Sequence, residues 1–194
     1  MGTILLAGPA AEPVTLLETK AHLRVEIADD DALINGLIKA AKECVESATN
    51  RKLITQRWRV FEDKIPSPPE FCLPFAPVQS VDYLRLWDSS NNGLLQSAGT
   101  YLTDVLSEPA RVFIKDLPAI TLRRYNAVEI AFTCGYSATG TNVPEPLRQA
   151  VKLLAAHWYE NRIAVADAGQ TRFEELPLGV QYLLAPYRLW GRAL

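Results

Sequence analysis

The sequence predicts an α+β protein: a helical bundle carrying an inserted, antiparallel β-rich subdomain. Two stretches with apolar residues at helical spacing, Asp29–Asn50 and Val143–Ala164, bracket residues 53–136. Inside that bracket the texture changes to short β-type runs parted by turn residues, at intervals of about 8–12 residues. A length of 194 residues suits one large domain or two small ones. The expected organisation is a helical part from 14–50 and 143–188, a β-rich part at 53–136, an arm at 1–13 and a tail at 186–194.

The arm contains Ile4-Leu5-Leu6 followed by a Gly-Pro-Ala-Ala-Glu-Pro segment and reads as extended chain. Thr15-Leu16-Leu17-Glu18 has the form of a capping box, with Thr15 as N-cap and Glu18 reaching back. A short helix follows to about Arg24, with Leu16, Ala21 and Leu23 on its buried side. His22 lies in it with no partner cluster nearby. Asp29-Asp30-Asp31 opens the next helix, one carboxylate as N-cap and the others favoured by the positive helix end. The alternating ligands, glycine and distal glutamate of an EF-hand are absent. Leu33, Ile34, Leu37, Ile38, Ala41, Val45 and Ala48 form a wide apolar face. Gly36 weakens this helix and suggests close packing against a neighbour, and Asn50 is its stop.

In the β-rich part, strands are expected at Ile54–Glu62, Val81–Trp87, Tyr101–Leu106, Arg111–Lys115 and Ala127–Cys134, with a turn at Asn91-Asn92-Gly93. Pro66, Pro68, Pro69, Pro74 and Pro77 make a connection that cannot be a central strand. Trp58, Phe61, Tyr83, Trp87, Phe113 and Phe132 are candidates for the core of this part. Gly135–Thr141 links back to the helices and matches neither phosphate-loop pattern.

The stretch Val143–Ala164 dominates the chain. Pro144 and Pro146 sit at its entry, where a missing N–H costs little. Leu147, Ala150, Val151, Leu154, Ala155 and Trp158 recur at helical spacing, and between Leu147 and Tyr159 the only charges are Arg148 and Lys152. A helix so apolar is a central core element or is shared with a neighbouring molecule. Trp158, Glu160, Asn161 and Arg162 read as a helix-end cluster, with Glu160 or Asn161 orienting Arg162. Val165–Glu175 reads as a mobile loop. A last short helix follows Leu176-Pro177 and is ended or kinked by Pro186. The final residues, which include Tyr187, Arg188, Leu189, Trp190 and Arg192, carry the side chains that most often anchor protein interfaces. Packing of Tyr187 and Trp190 on the chain's own core is the equal alternative.

The function classes narrow by exclusion. Twenty basic residues are outweighed by 22 acidic ones, net charge is −2, and no basic run exceeds two. A protein whose main task is gripping DNA needs clustered cations. Cys44, Cys72 and Cys134 are too few and too scattered for a disulfide framework or a CxxC metal site, so neither metal nor cofactor is expected. No apolar run approaches the roughly 18–20 residues that span a bilayer, and the N-terminus lacks the basic start of a secretory signal. Catalysis needs a nucleophile and base in mutual reach. The one candidate, Cys44 with His157, has no local signature, and no enzymatic role is expected.

The order of segments resembles the head–tail connector, or adaptor, proteins of long-tailed phages and phage-derived gene transfer agents. The residues that carry the resemblance are PVTLLETKAHLRV from Pro13, DDDALINGLIKAAKECVE from Asp29, RKLITQRW from Arg51, VPEPLRQAVKLLAAHWYENR from Val143 and LPLGVQYLLAPYR from Leu176. The resemblance implies a connector-type helical bundle with the β-rich insertion of longer members. It implies a ring, typically of twelve copies, on the portal vertex, extending the DNA channel and docking the stopper and tail. It also implies that a C-terminal segment, here Pro186–Leu194, reaches the portal. Partners would be the portal protein, stopper or tail-terminator proteins and double-stranded DNA surrounded without sequence-specific binding, with no membrane. The setting would be the cytoplasm of the producing cell, then the neck of the particle. The alternatives are a stopper or tail-terminator ring protein, and a soluble assembly chaperone or binding module. Stoppers are mostly β, so a helix share near one half would favour the adaptor.

Overall fold

The computed structural model of the chain describes residues 2–161 and 177–189. Its elements, in order, are β1 (Gly2–Ala7), α1 (Leu16–Leu23), α2 (Asp31–Thr49), β2 (Gln56–Glu62), β3 (Glu70–Cys72), β4 (Val78–Trp87), β5 (Gly93–Leu95), β6 (Tyr101–Asp104), β7 (Arg111–Ile114), β8 (Val128–Cys134), α3 (Glu145–Glu160) and α4 (Leu178–Leu184). The fold is α+β with antiparallel sheets, as the sequence predicts. Among the described residues the helix share is not near one half, since α1 and α4 hold only 8 and 7 residues beside 19 in α2 and 16 in α3. Helix content therefore does not separate an adaptor from a stopper here.

The helices share one apolar core. In α3, Leu147, Ala150, Val151, Leu154 and Ala155 are buried and only Glu145 and Glu160 are exposed. Ile34, Ile38, Ala41 and Val45 of α2 and Val180 and Leu184 of α4 close around it. Losing a side chain such as Leu154 from this core would cost about 2–5 kcal/mol. The apolar face of α2 is narrower than its sequence suggests: Leu33 is 39% exposed. Gly36 faces solvent, with nothing within 4 Å of a Cβ placed there, so it serves no close packing. The capping box of α1 is present, with Thr15 N–H donating to Glu18 Oε2 at 2.8 Å and Glu18 N–H to Thr15 Oγ1 at 3.1 Å. Asp30 stands at the N-cap of α2 but caps nothing. Its carboxylate accepts from the Tyr159 hydroxyl of α3 instead, and Asp31 pairs with Lys20 of α1 at 2.6 Å.

The β part is two sheets face to face, β1-β2-β8-β4-β5 and β3-β7-β6. Strand alternation drives Val60, Leu84, Leu86, Val128, Ile130 and Phe132 from one sheet and Phe71, Val112 and Ile114 from the other into a second core. This core is chiefly aliphatic. Of the aromatics expected there, only Phe132 is fully buried, and Trp58 packs at its margin against Phe75. Phe61, Tyr83, Trp87 and Phe113 are half-buried on the outer faces. Three strands are additional to those expected, β1, β3 and β5, and each lies at a sheet edge. The N-terminal arm is thus the β1 edge strand, antiparallel to β2.

The chain enters and leaves the β part side by side. Thr55 N–H donates to Ser137 O at 2.9 Å, and Tyr136 N–H to Leu53 O at 3.3 Å. Gly135 makes this closeness possible. Its φ is +122°, and a Cβ there would stand 2.5 Å from Ile54 O. Gly135→Ala is expected to destabilise by about 3 kcal/mol, from backbone strain plus collision. Gly36→Ala, free of both, is expected to stabilise by up to about 1 kcal/mol. Urea unfolding of the two variants checks both the size and the opposite sign.

Candidate functional site

The C-terminal segment is where sequence chemistry first points to a partner. Val180 and Leu184 bury one side of α4 in the helical core, while Leu178 and Tyr182 are exposed. The helix tightens into a 3-10 turn at Ala185–Tyr187, where Pro186 removes a helical donor and is itself exposed. Tyr187 is half-buried against the helical core. Its carbonyl accepts from Arg51 Nε at 2.7 Å, and Leu189 N–H donates to Thr49 O at 2.9 Å. Arg188 is half-buried, and its Nε lies out of water with no acceptor among the described residues. The root of the tail is therefore tied to the end of α2. Trp190 and Arg192 lie outside the described residues.

Arg51 is the residue that makes this root. Asn50 ends α2 in the left-handed region at φ +55°, which turns the chain and aims Arg51 back across the junction. Its guanidinium grips the Glu108 carboxylate with both terminal nitrogens and lies 3.4 Å from the Tyr136 hydroxyl. One side chain thus joins the helices, the β part, the returning link and the tail. Next to it, the carboxylate of Glu46, 5% exposed, accepts from Leu53 N–H at 2.9 Å, Gln56 Nε2 at 3.0 Å and Lys52 Nζ at 3.2 Å. Lys52 in turn sits 4.8 Å over the Trp58 ring and 4.6 Å over Phe75.

The helix-end cluster is partly described. Trp158 packs on the helical core, Glu160 is exposed, and Asn161 closes α3 by donating its side-chain amide to His157 O at 2.9 Å. Arg162 and the loop expected at 165–175 lie outside the described residues. His22 is exposed. Burial pushes the Cys44 thiol up, and that of Cys134 up to about 12, which suppresses the thiolate that nucleophilic or ligand chemistry needs. Among the described residues no three of His, Cys, Asp and Glu are grouped to hold a metal, and no helix is long and apolar enough to cross a membrane.

One surface escaped the search for runs and motifs. On the outer face of the five-stranded sheet, Glu129 of β8 is 1% exposed between Arg59 of β2 and Arg85 of β4. The Tyr83 hydroxyl donates to one of its oxygens at 2.7 Å and Trp87 Nε1 to the other at 2.8 Å. Arg85 lies over both of those rings, Arg59 over Phe61 and Arg123 over Trp87. A signal was present: period-two reading of β2, β4 and β8 puts Arg57, Arg59 and Phe61, then Tyr83, Arg85 and Trp87, then Glu129, on one face.

The Glu108–Arg51 pair gives a pH test. Hydrogen bonding from Arg51 holds the Glu108 carboxyl below its ordinary value of 4.5. A group lowered in this way stabilises the fold above its unfolded value and loses that contribution as pH falls through its folded value. Glu108→Gln is expected to cost about 1 kcal/mol at neutral pH, modest because the carboxylate is partly exposed, and to reduce the loss of stability on acidification. Arg51→Ala should cost more, about 3 kcal/mol, since it leaves a carboxylate and a carbonyl unpaired. Thermal melts from neutral pH to about pH 3 check this, and an unaltered acid slope in Glu108→Gln would contradict it.

A family model described as phage gp6-like head-tail connector protein matches residues 13–112 and 84–188. Comparison with curated proteins gives no match. Among solved structures, a chain in the virion of a native gene transfer agent particle is similar at 29% identity, with 100% of this chain and 98% of that chain covered and a TM-score of 0.80. A chain in the neck of an empty gene transfer agent particle, computed with C6 symmetry, is 30% identical over 100% and 98%, with a TM-score of 0.79. Another, in the neck of the native particle computed with C12 symmetry, is 29% identical over 98% and 97%, with a TM-score of 0.73.

Proposed function

The chain belongs to the phage gp6-like head-tail connector family, a family of structural proteins, and from that premise we propose that it is the adaptor of a head–tail joint. In this reading it forms a ring on the portal vertex, extends the DNA channel and docks the stopper and tail. The observation that carries the reading is the end-to-end similarity to chains of gene transfer agent necks, computed with C6 symmetry for the empty particle and with C12 symmetry for the native one. A ring of twelve copies is in keeping with that symmetry. Residues 14–50 and 143–188 act as the connector domain, its helices forming the connector-type bundle, and 53–136 as an inserted β-rich domain on which β1 lies. Assembly takes place in the cytoplasm of the producing cell, and the chain then resides in the neck.

Physical chemistry supports the same role. A net charge of −2 suits a wall past which DNA must slide, because a wall of clustered cations would condense on phosphate. A portal ring presents many identical sites at once, so even weak tails bind through high effective concentration. The tail residues Pro186, Tyr187, Arg188, Leu189, Trp190 and Arg192 supply the anchors. Tyr187 and Leu189 also serve as the tail's root through Arg51 and Thr49. Removing Pro186–Leu194 would damage both roles, so the cut must fall after Leu189.

A chain ending at Leu189 is expected to melt like the full chain and to lose attachment to portal-bearing heads, measured by co-sedimentation. A chain ending at Ala185 should lose attachment and, in addition, about 1–3 kcal/mol of stability from the severed backbone contacts. Attachment that survives the cut after Leu189 overturns the assignment of Trp190 and Arg192 to the portal.

A further inference from the structure

The two sheets of the β part expose two unlike faces on opposite sides of one shared core. No described helix packs across either. On the five-stranded sheet, one cross-strand row reads Gly2, Phe61, Glu129, Arg85 and Leu95. Arg57, Arg59, Tyr83, Trp87 and Ile4 surround it. Ile4 and Leu95, at the two edges, are 51% and 58% exposed. The arginines outnumber the carboxylates Asp82 and Glu129, so the face is cationic. On the three-stranded sheet the outward residues are Glu70, Cys72, Leu102, Asp104, Arg111 and Phe113. Leu102 is 56% exposed, and Glu70 and Asp104 flank the single Arg111 at 3.8 and 2.6 Å. This face is apolar with a surplus of carboxylate.

We propose that the outer face of the five-stranded sheet of one copy packs on the outer face of the three-stranded sheet of the next copy. The inference rests on the ring assembly proposed above. A ring needs a heterologous contact between two different patches of one chain, and these faces point in opposite directions at one level of the molecule. Their charges are complementary, and the tyrosine, tryptophan and arginines of the five-stranded face are of the kind that form interface centres. The cationic face suits protein better than DNA. Arg57 is held by Asp82 at 2.5 Å, while Arg59 and Arg85 share Glu129. Arg59 and Arg85 also lie over aromatic rings, so the cations of this face are already partly neutralised and packed.

Native Cys72 gives the test, because it lies on the three-stranded face while Cys44 belongs to the helical core and Cys134 is buried. Three single variants, Ile4→Cys, Arg57→Cys and Leu95→Cys, each add a thiol at a different place on the opposite face. Particles purified from cells producing each variant would be treated with a bismaleimide and the chain followed on denaturing gels. The expected result is a ladder of crosslinked chains in at least one variant, lost when Cys72→Ser is added. Melting of each variant like the parent excludes misfolding as the source of any difference. Uncrosslinked chain in all three, in particles that contain it, overturns the face-to-face contact and leaves the ring intact. A sheet turned towards DNA gives that same result. Particles that lack the chain altogether overturn the ring reading itself.

Discussion

The junction after α2 is the constraint on which the rest of the structure depends. Two charged side chains, Glu46 and Arg51, five residues apart, do most of the joining. Glu46 is buried and fixes the turn from helix to strand by accepting from Leu53, Gln56 and Lys52. Arg51 reaches the other way, to Glu108, Tyr136 and the carbonyl of Tyr187. Neither charge is tolerable there without its partners, since an unpaired buried charge costs several kcal/mol. The pairing therefore specifies how two separate apolar cores sit on one chain, and it ties Tyr187 to the end of α2.

That arrangement suits a part in an assembly. The helical core buries Leu147, Ala150, Val151, Leu154 and Ala155 of α3 within the chain itself. The β part keeps its aliphatic residues inside and leaves arginine and aromatic groups outside, in a layer braced by the buried carboxylate of Glu129. Bracing matters because ordering long side chains on binding is costly, and a face already held in place loses less entropy on contact. The tail root is braced in the same manner, Tyr187 O by Arg51 and Leu189 N–H by Thr49 O.

The sequence carried most of the helical architecture and less of the β part. The capping box, the stop at Asn50 and the buried stripe of α3 are local signals, and each has a one-element physical cause. The strands it did not reveal, β1, β3 and β5, are short edges. They pair on one side only, two of them are largely exposed on both faces, and so they lack the alternation that marks a half-buried strand. The excess breadth assigned to the apolar face of α2 reflects Leu33, which periodicity places beside Ile34 but packing leaves in solvent. The cationic face was legible only in part: alternation gives the rows, but strand order and register decide that Arg59, Glu129 and Arg85 become neighbours. Likewise nothing local links Arg51 to Glu108 or to Tyr187, which are 57 and 136 residues away.

The most direct test of the central claim is electron microscopy of particles from producing cells that lack this chain. The connector account predicts DNA-filled heads and separate, free tails. Normally joined, tailed particles would contradict it.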